Sequence, residues 1–263
     1  MKKRVLKLGS DSLVLICFLL VWRGVVWIFS VPPYMLPSPF QVAQTVYKRL
    51  PDLASATLTT AEAAGGGLIG AIVVGTLIGL LFARSAVIRR LLYPYTILLQ
   101  TVPIVAVTPL ILLWVGPGLL SVTLAAFIIC VPPIIANATQ GLISADENLV
   151  QLFLMHNATP WQILRKLRLP HSLPYLFVGI RISAGIAVIG AITGELFAGS
   201  GSVGGGGVGY AILYAQAQLQ TDYLFALVFA ATALGFAFFF TVMFFEWLFL
   251  HKWHESASAG RSE

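Results

Sequence analysis

Two ionisable residues, Arg181 and Glu195, fall inside one long apolar segment of this 263-residue chain. An ionisable side chain within such a segment marks a candidate functional site, because burying a charge in an apolar medium is costly. The fourteen residues between them span about 21 Å of helix, so the two side chains cannot pair with each other. Besides a functional site, structural ion pairing or interface anchoring remains open for both residues.

Prolines and polar side chains interrupt a second apolar segment, 91–113. Its three prolines are Pro94, Pro103 and Pro109. Prolines inside a membrane span free backbone carbonyls, which must be buried in protein or face a water-filled cavity. Gln100 and Thr101 lie in the same segment. We therefore predict Gln100 and Thr101 as contacts of a pathway lined by this segment; the alternative is a kinked packing helix. Glu195, from the other apolar segment, is a further predicted contact of the pathway.

Sequence motifs of catalysis and cofactor binding are absent. The chain has no G-x-x-x-x-G-K-[ST] loop, no H-E-x-x-H, no nucleophile elbow and no Cys/His cluster. Gly199, Gly201 and Gly204 match G-x-G-x-x-G, but an apolar segment precedes them instead of a strand, so we interpret the match as accidental. The sequence thus predicts neither an enzyme nor a metal or cofactor site on this chain.

The longest polar stretch, 144–174, predicts two short helices. Ser144 with Glu147 fits the S-x-x-E capping box, and Thr159 with Gln162 fits the T-x-x-Q form. Each pair predicts a helix that begins directly after its Ser or Thr.

The turn between these helices and the end of the second one have their own signals. Asn157 tolerates the left-handed conformation that ends a helix, and Pro160 stands at the first helical position, where its missing N–H costs nothing. Pro170 is predicted to end the second helix. Trp161 gives that helix an apolar ridge, and three basic residues give it a charged flank: Arg165, Lys166 and Arg168.

The composition indicates an all-α integral membrane protein. Hydrophobic residues make up 58% of the chain and charged residues 10%, against about 25% charged in soluble domains. We predict a single transmembrane domain with six spans, at about 12–31, 57–82, 91–113, 119–142, 173–197 and 223–250, and a loop at 144–172 between spans four and five. The net charge of +6 does not indicate nucleic-acid binding, because no basic cluster is interleaved with exposed aromatic residues.

The distribution of Lys and Arg predicts the orientation in the membrane. Six spans place both termini on one side. That side carries twelve basic residues: four at the N-terminus, three in the turn 84–90, three in the long loop and two at the C-terminus. The other side has only Lys48 and Arg49. The positive-inside rule therefore places both termini and the loop in the cytoplasm.

The loop resembles a known family. Segment 157–162 (NATPWQ), Arg165 and segment 167–170 (LRLP) resemble the cytoplasmic EAA loop of ATP-binding-cassette (ABC) importer permeases, which reads E-A-A, three residues, G, nine residues, then I-x-L-P. Further stretches resemble one branch, the permeases for nitrate, sulfonates, taurine and thiamine-pyrimidine precursors. They are LPSP at 36–39, the stretch from Gln100 through Pro109 to Gly118, GIRI at 179–182, and GE at 194–195 followed by GY at 209–210.

The chain departs from the loop pattern at two places. Gln151, Leu152 and Phe153 stand where the family has E-A-A, which enlarges the first short helix. Asn157 stands where the family has Gly, and Asn keeps the left-handed turn available.

The resemblance implies a subunit of a bacterial inner-membrane importer that works by alternating access. It implies two permease subunits, here a homodimer, two cytoplasmic ATPases that bind ATP and Mg²⁺, and an external solute-binding protein. The residues it implies for coupling to the ATPase are Gln151, Asn157, Thr159, Trp161, Gln162, Arg165 and Pro170. Two other interpretations remain: a non-transporting scaffold that recruits a soluble partner, and a channel or secondary transporter without an ATPase.

Overall fold

The computed structural model describes residues 2–198 and 206–258, which contain eleven α-helices and one π-helical segment. They are α1 (Lys2–Ile28), α2 (Pro39–Lys48), α3 (Leu50–Arg84), α4 (Ala86–Thr101), α5 (Ile104–Val115), α6 (Leu119–Ile143), α7 (Glu147–Met155), α8 (Pro160–Ile163), the π segment (Leu164–Arg168), α9 (Leu169–Ala198), α10 (Val208–Ala217) and α11 (Thr221–Ser258). The glycines of the G-x-G-x-x-G match, Gly199, Gly201 and Gly204, lie outside the described residues.

Several of these helices are long and apolar enough to cross a membrane. Four of them qualify singly, with mean hydropathy from 2.0 to 2.4: Leu50–Arg84, Leu119–Ile143, Pro160–Ala198 and Thr221–His251. The pair α4 and α5 qualifies only as one bent span, and α1 contributes a shorter apolar helix, Ile16–Ile28. The chain is thus an all-α integral membrane protein, with four or five spans by this measure among the described residues, where the sequence predicts six.

The third predicted span, 91–113, is not one helix. It is divided between α4 and α5, whose axes are bent by 99°. The break lies at Val102 and Pro103, both with extended backbone angles, because the proline ring disfavours helical geometry in the residue before it. Pro94 and Pro109 lie inside α4 and α5 without ending them.

Helix α6 forms the centre of the bundle, with α3 packed on one side and α9 on the other. The close approach depends on glycines opposite Ala126. A Cβ on Gly67 of α3 would lie 2.7 Å from the Ala126 Cβ, and a Cβ on Gly190 of α9 would lie 2.8 Å from its Cα. Small residues therefore let three long helices meet at backbone distance, which is a usual way to hold membrane helices together.

Candidate functional site

The loop between α6 and α9 has the predicted helix–turn–helix form. Asn157 adopts a left-handed φ of 55° between α7 and α8, and Pro160 is the first residue of α8. The predicted capping box of Thr159 and Gln162 is confirmed. The Thr159 hydroxyl accepts from the Gln162 N–H at 3.3 Å, and the Gln162 side-chain oxygen accepts from the Thr159 N–H at 2.8 Å.

The predicted start of the first short helix is wrong. Ser144 caps the C-terminal end of α6, where its N–H donates to the Gln140 carbonyl at 3.0 Å. Asp146 caps α7 instead, and its carboxylate accepts from the Asn148 N–H at 2.8 Å. Because α6 extends to Ile143, Ser144 has no freedom to adopt the extended N-cap conformation.

Pro170 does not end the second helix, contrary to the prediction. The helical path runs on from α8 through the π segment into α9. A proline normally breaks a helix by removing one i→i−4 hydrogen bond and clashing with that carbonyl. Here the Leu169 N–H bonds to the Leu164 carbonyl five residues back, so the wider π turn directly precedes the proline and shifts the hydrogen-bond register. The loop is therefore continuous with a long membrane span.

The loop presents apolar side chains outward. We call the exposed set the loop surface; it consists of Leu149, Leu152, Leu154, Met155 and Trp161. Met155 is 80% exposed and Trp161 63% exposed, while Ile163 is 6% exposed and anchors α8. Among the other residues predicted for coupling, Gln151, Asn157, Thr159, Gln162 and Arg165 are exposed and Pro170 is half-buried. Exposed apolar side chains on these two short helices make the loop surface a candidate interaction site.

The polar residues predicted for the pathway lie at the bend between α4 and α5. Gln100 and Thr101 are both exposed at the end of α4. Gln100 lines a cavity of about 240 Å³ whose other walls include Ile129 of α6 and Ile186 of α9. The bend therefore places a polar amide at the mouth of a cavity in the bundle.

Glu195 lies in a different environment. It is 3% exposed, and the structure does not bring it together with Gln100 and Thr101. Nine residues of α9 separate it from Ile186 of the Gln100 cavity, which is about 14 Å along the helix. Its carboxylate accepts from the Thr60 hydroxyl at 2.9 and 3.0 Å and from the Gly209 N–H at 2.8 Å.

Sequence reasoning missed the partners of both ionisable residues in α9. Arg181 forms an ion pair with Glu246 of α11, 65 residues away, and Thr60 is 135 residues from Glu195. Structural ion pairing, one of the interpretations that the sequence leaves open, therefore applies to Arg181. The one sequence feature that could have indicated the partner of Arg181 is a carboxylate within the last predicted span, Glu246.

A polar cluster lies at the end of the bundle where α2 meets α11. The Arg49 guanidinium stacks 3.6 Å from the centre of the Tyr223 ring, bridges to Asp52 at 3.1 Å and donates to Gln220 at 2.8 Å. Arg49, Asp52 and Tyr223 line a cavity of about 360 Å³ together with Tyr210 and Tyr214. Among residues 2–198 and 206–258, no group of three His, Cys, Asp or Glu side chains lies close enough to hold a metal ion.

Comparison with known proteins adds independent findings. The family model described as "binding-protein-dependent transport system inner membrane component" matches residues 71–252. A probable ABC transporter permease protein of Haemophilus influenzae is 31% identical over 96% of this chain and 98% of its own length. The formylaminopyrimidine transport permease protein ThiX of Halalkalibacterium halodurans is 31% identical over 77% of this chain and 80% of its own.

A solved structure shares the fold. The inward-facing MetNI methionine ABC transporter superposes with a TM-score of 0.57 at 21% identity, covering 73% of this chain and 94% of that one. At this identity the similarity bears on the helical architecture alone.

Proposed function

Since this chain belongs to the family of binding-protein-dependent transport system inner membrane components, we propose that it moves a small nutrient solute by alternating access, driven by separate ATPase subunits. The chain is the permease subunit of an ABC importer and a multi-pass inner-membrane protein, and ATP hydrolysis belongs to partner subunits. In the proposal, ATP and Mg²⁺ bind on those partners.

The loop surface carries this proposal. Its apolar side chains are exposed on two short helices that precede the predicted span 173–197, and amphipathic helices of this kind bind in a partner's groove. Because α8 continues into α9, a push on Trp161 or Arg165 is transmitted to a span that packs against the central helix α6. ATPase closure would thereby rock the bundle.

We place the pathway at the bend between α4 and α5. Gln100 and Thr101 supply polar groups there, and the broken helix leaves carbonyls that a water-filled cavity can satisfy. For Glu195 we propose a positioning role instead of solute contact, because its carboxylate is buried and bonded to Thr60 and Gly209.

The solute is of the nitrate, sulfonate or taurine, or thiamine-pyrimidine-precursor type, and the polar cluster favours the last. Tyr210 and Tyr214 offer ring faces on which a planar heteroaromatic ring can stack, with Asp52 as a hydrogen-bond acceptor. Arg49 is already bonded to neighbours, which leaves less of its charge for a bare anion. The ThiX relative is named for a pyrimidine.

The remaining parts of the assembly follow from the family. We propose a second copy of this chain as the other permease subunit, a solute-binding protein on the outer side, and lipid around the spans. Both termini and the loop 144–172 face the cytoplasm in this proposal, as the basic residues predict.

Co-purification with the ATPase encoded nearest to this chain tests the proposal. The wild-type chain and the double variant Trp161→Ala, Arg165→Ala are each reconstituted with that ATPase in lipid, and association and ATP hydrolysis are measured. We expect the double variant to lose association or to lose coupled hydrolysis at least tenfold, since burying Trp161 in an interface is worth roughly 2 kcal/mol or more.

The matched control is Trp114→Ala. Trp114 is 74% exposed at the end of α5, so its loss removes a similar side chain from outside the loop. The control is expected to keep ATPase association. If the double variant also keeps association and hydrolysis, the loop is not the transmission element, and a scaffold or an ATPase-free channel becomes the better interpretation.

A further inference from the structure

A second cavity adjoins the loop surface, between the loop and the end of α3, and Leu154 belongs to both. Its volume is about 290 Å³. Two arginines line it, Arg84 at the last position of α3 and Arg168 in the π segment. The remaining lining residues are apolar: Ala83, Val150, Leu154, Pro160, Ile163 and Leu164.

No carboxylate of the described residues pairs with the two arginines of this cavity. The Arg168 Nε atom is buried and has no hydrogen-bond partner among the described residues. In that same part of the chain, the ion pairs are Arg49 with Asp52 and Arg181 with Glu246, so neither Arg84 nor Arg168 has a carboxylate within 4.0 Å. A buried donor without a partner is costly, and this cost favours an anionic occupant.

The cavity lies at the C-terminal end of α3, one of the helices that are long and apolar enough to cross a membrane. Arg84 ends the α3 span, and Leu77 and Leu81 precede it on the same helical face at spacings of seven and three residues. Both leucines are largely exposed, as expected of a face that contacts lipid chains. An exposed apolar track on α3 therefore leads along the span to Arg84.

From this arrangement we infer that the cavity between Arg84 and Arg168 binds the phosphodiester headgroup of an anionic phospholipid, with an acyl chain along Leu77 and Leu81. Planar guanidinium groups match phosphate oxygens in pairs. Basic pockets between membrane helices bind lipid headgroups in this way. A carboxylate of the ATPase or a free phosphate shares the negative charge, but neither supplies the acyl chain that the leucine track accommodates.

Such a lipid would fasten the loop to the bundle. Its phosphate would bridge Arg84 of α3 to Arg168, which directly precedes α9, while Val150 and Leu154 of α7 pack over it. The bound lipid would thus stabilise one orientation of the loop relative to the spans. This goes beyond the proposed function, because it requires a membrane surface beside the loop but no ATPase.

The test is native mass spectrometry of the full chain in detergent, titrated with dioleoylphosphatidylglycerol. Dioleoylphosphatidylcholine, which has the same acyl chains without net charge, and inorganic phosphate are titrated in parallel. We expect Arg84→Gln and Arg168→Gln each to weaken phosphatidylglycerol binding about fivefold, which is the effect of one basic side chain near an anionic surface. Since Arg84 is exposed, its variant is expected to fold even where Arg168→Gln does not.

Arg165→Gln is the matched control, because it removes the same charge from the same π segment at an exposed position. It is expected to change binding less than twofold. Equal effects of Arg165→Gln and Arg168→Gln, equal binding of the two lipids, or Arg168-dependent binding of phosphate alone would each overturn the lipid site. A combination of two results would overturn it as well: phosphatidylglycerol binding is lost when the ATPase assembles with the chain, and Arg168→Gln fails to assemble with the ATPase. The cavity would then be a contact site for the ATPase.

Discussion

The Thr60 hydroxyl on α3 lies 2.9 and 3.0 Å from the two carboxylate oxygens of Glu195 on α9. The same hydroxyl accepts from the Val208 N–H at 2.9 Å, and the carboxylate accepts from the Gly209 N–H at 2.8 Å. Four polar groups thus satisfy one another in a buried position, which fixes the first turn of α10 to two long spans.

Replacing the carboxylate with an apolar side chain of similar size is expected to destabilise the protein. Glu195→Met leaves the buried Gly209 N–H without its acceptor, at a cost of about 1–3 kcal/mol. Thermal unfolding in detergent measures this as a lower melting temperature. Glu62→Met, at an exposed carboxylate on α3, is the control and is expected to change the melting temperature little. Equal melting temperatures of Glu195→Met and wild type would show that the network contributes nothing to stability.

Helices α3 and α6 pack so closely at Gly67 that we expect a single added methyl group there to destabilise the protein. A Cβ there would lie 2.8 Å from the Phe127 N and the Thr123 O atoms, which are backbone and cannot rotate away. Gly67→Ala is therefore expected to cost about 1–3 kcal/mol of unfolding free energy. Gly185→Ala is the control, because no atom lies within 4 Å of its added Cβ. The packing argument fails if the two variants unfold alike.

The ion pair of Arg181 and Glu246 joins α9 to α11. Their side chains are 33% and 20% exposed, so the pair is neither fully buried nor fully exposed. A double-mutant cycle with Arg181→Gln and Glu246→Gln is expected to give a coupling energy on the order of 1 kcal/mol. Additive effects of the two substitutions on the unfolding free energy would argue against a stabilising pair.

The left-handed residue in the loop predicts a distinction between two variants. Asn157→Gly keeps the φ of 55° accessible and is expected to associate with the ATPase as wild type does. Asn157→Val places a β-branched side chain in that conformation at a cost of roughly 1–2 kcal/mol or more, and is expected to weaken association. The measurement is ATPase recovered in co-purification. Equal recovery with both variants would mean that the turn geometry is irrelevant to docking.

The orientation in the membrane is testable with single cysteines. In a background with Cys17→Ser and Cys130→Ala, a cysteine replaces either Tyr47 on α2 or Met155 on α7, both at least 80% exposed. A membrane-impermeant maleimide is expected to label Tyr47→Cys in intact cells and Met155→Cys only after the membrane is opened, because the positive-inside rule places the loop in the cytoplasm. The reverse labelling would invert the proposed topology.

Structural features that depend only on residues close together in the sequence could be predicted from it. The capping box of Thr159 and Gln162 and the left-handed Asn157 depend on hydrogen bonds and backbone preferences within three or four residues. The membrane class follows from composition, since apolar segments of this length have no stable place in water. The sequence resemblance likewise identified the family, which the family model confirms.

Only the tertiary structure decided which distant side chains meet. Thr60 reaches Glu195, and Arg181 reaches Glu246, because α3, α9 and α11 pack with particular rotations and registers that no local pattern specifies. The sequence likewise did not predict that the chain bends by 99° at Pro103 while the helix continues through Pro170. Proline disfavours a helix at both places, but the outcome depends on whether neighbouring turns and helices can satisfy the backbone groups that it frees.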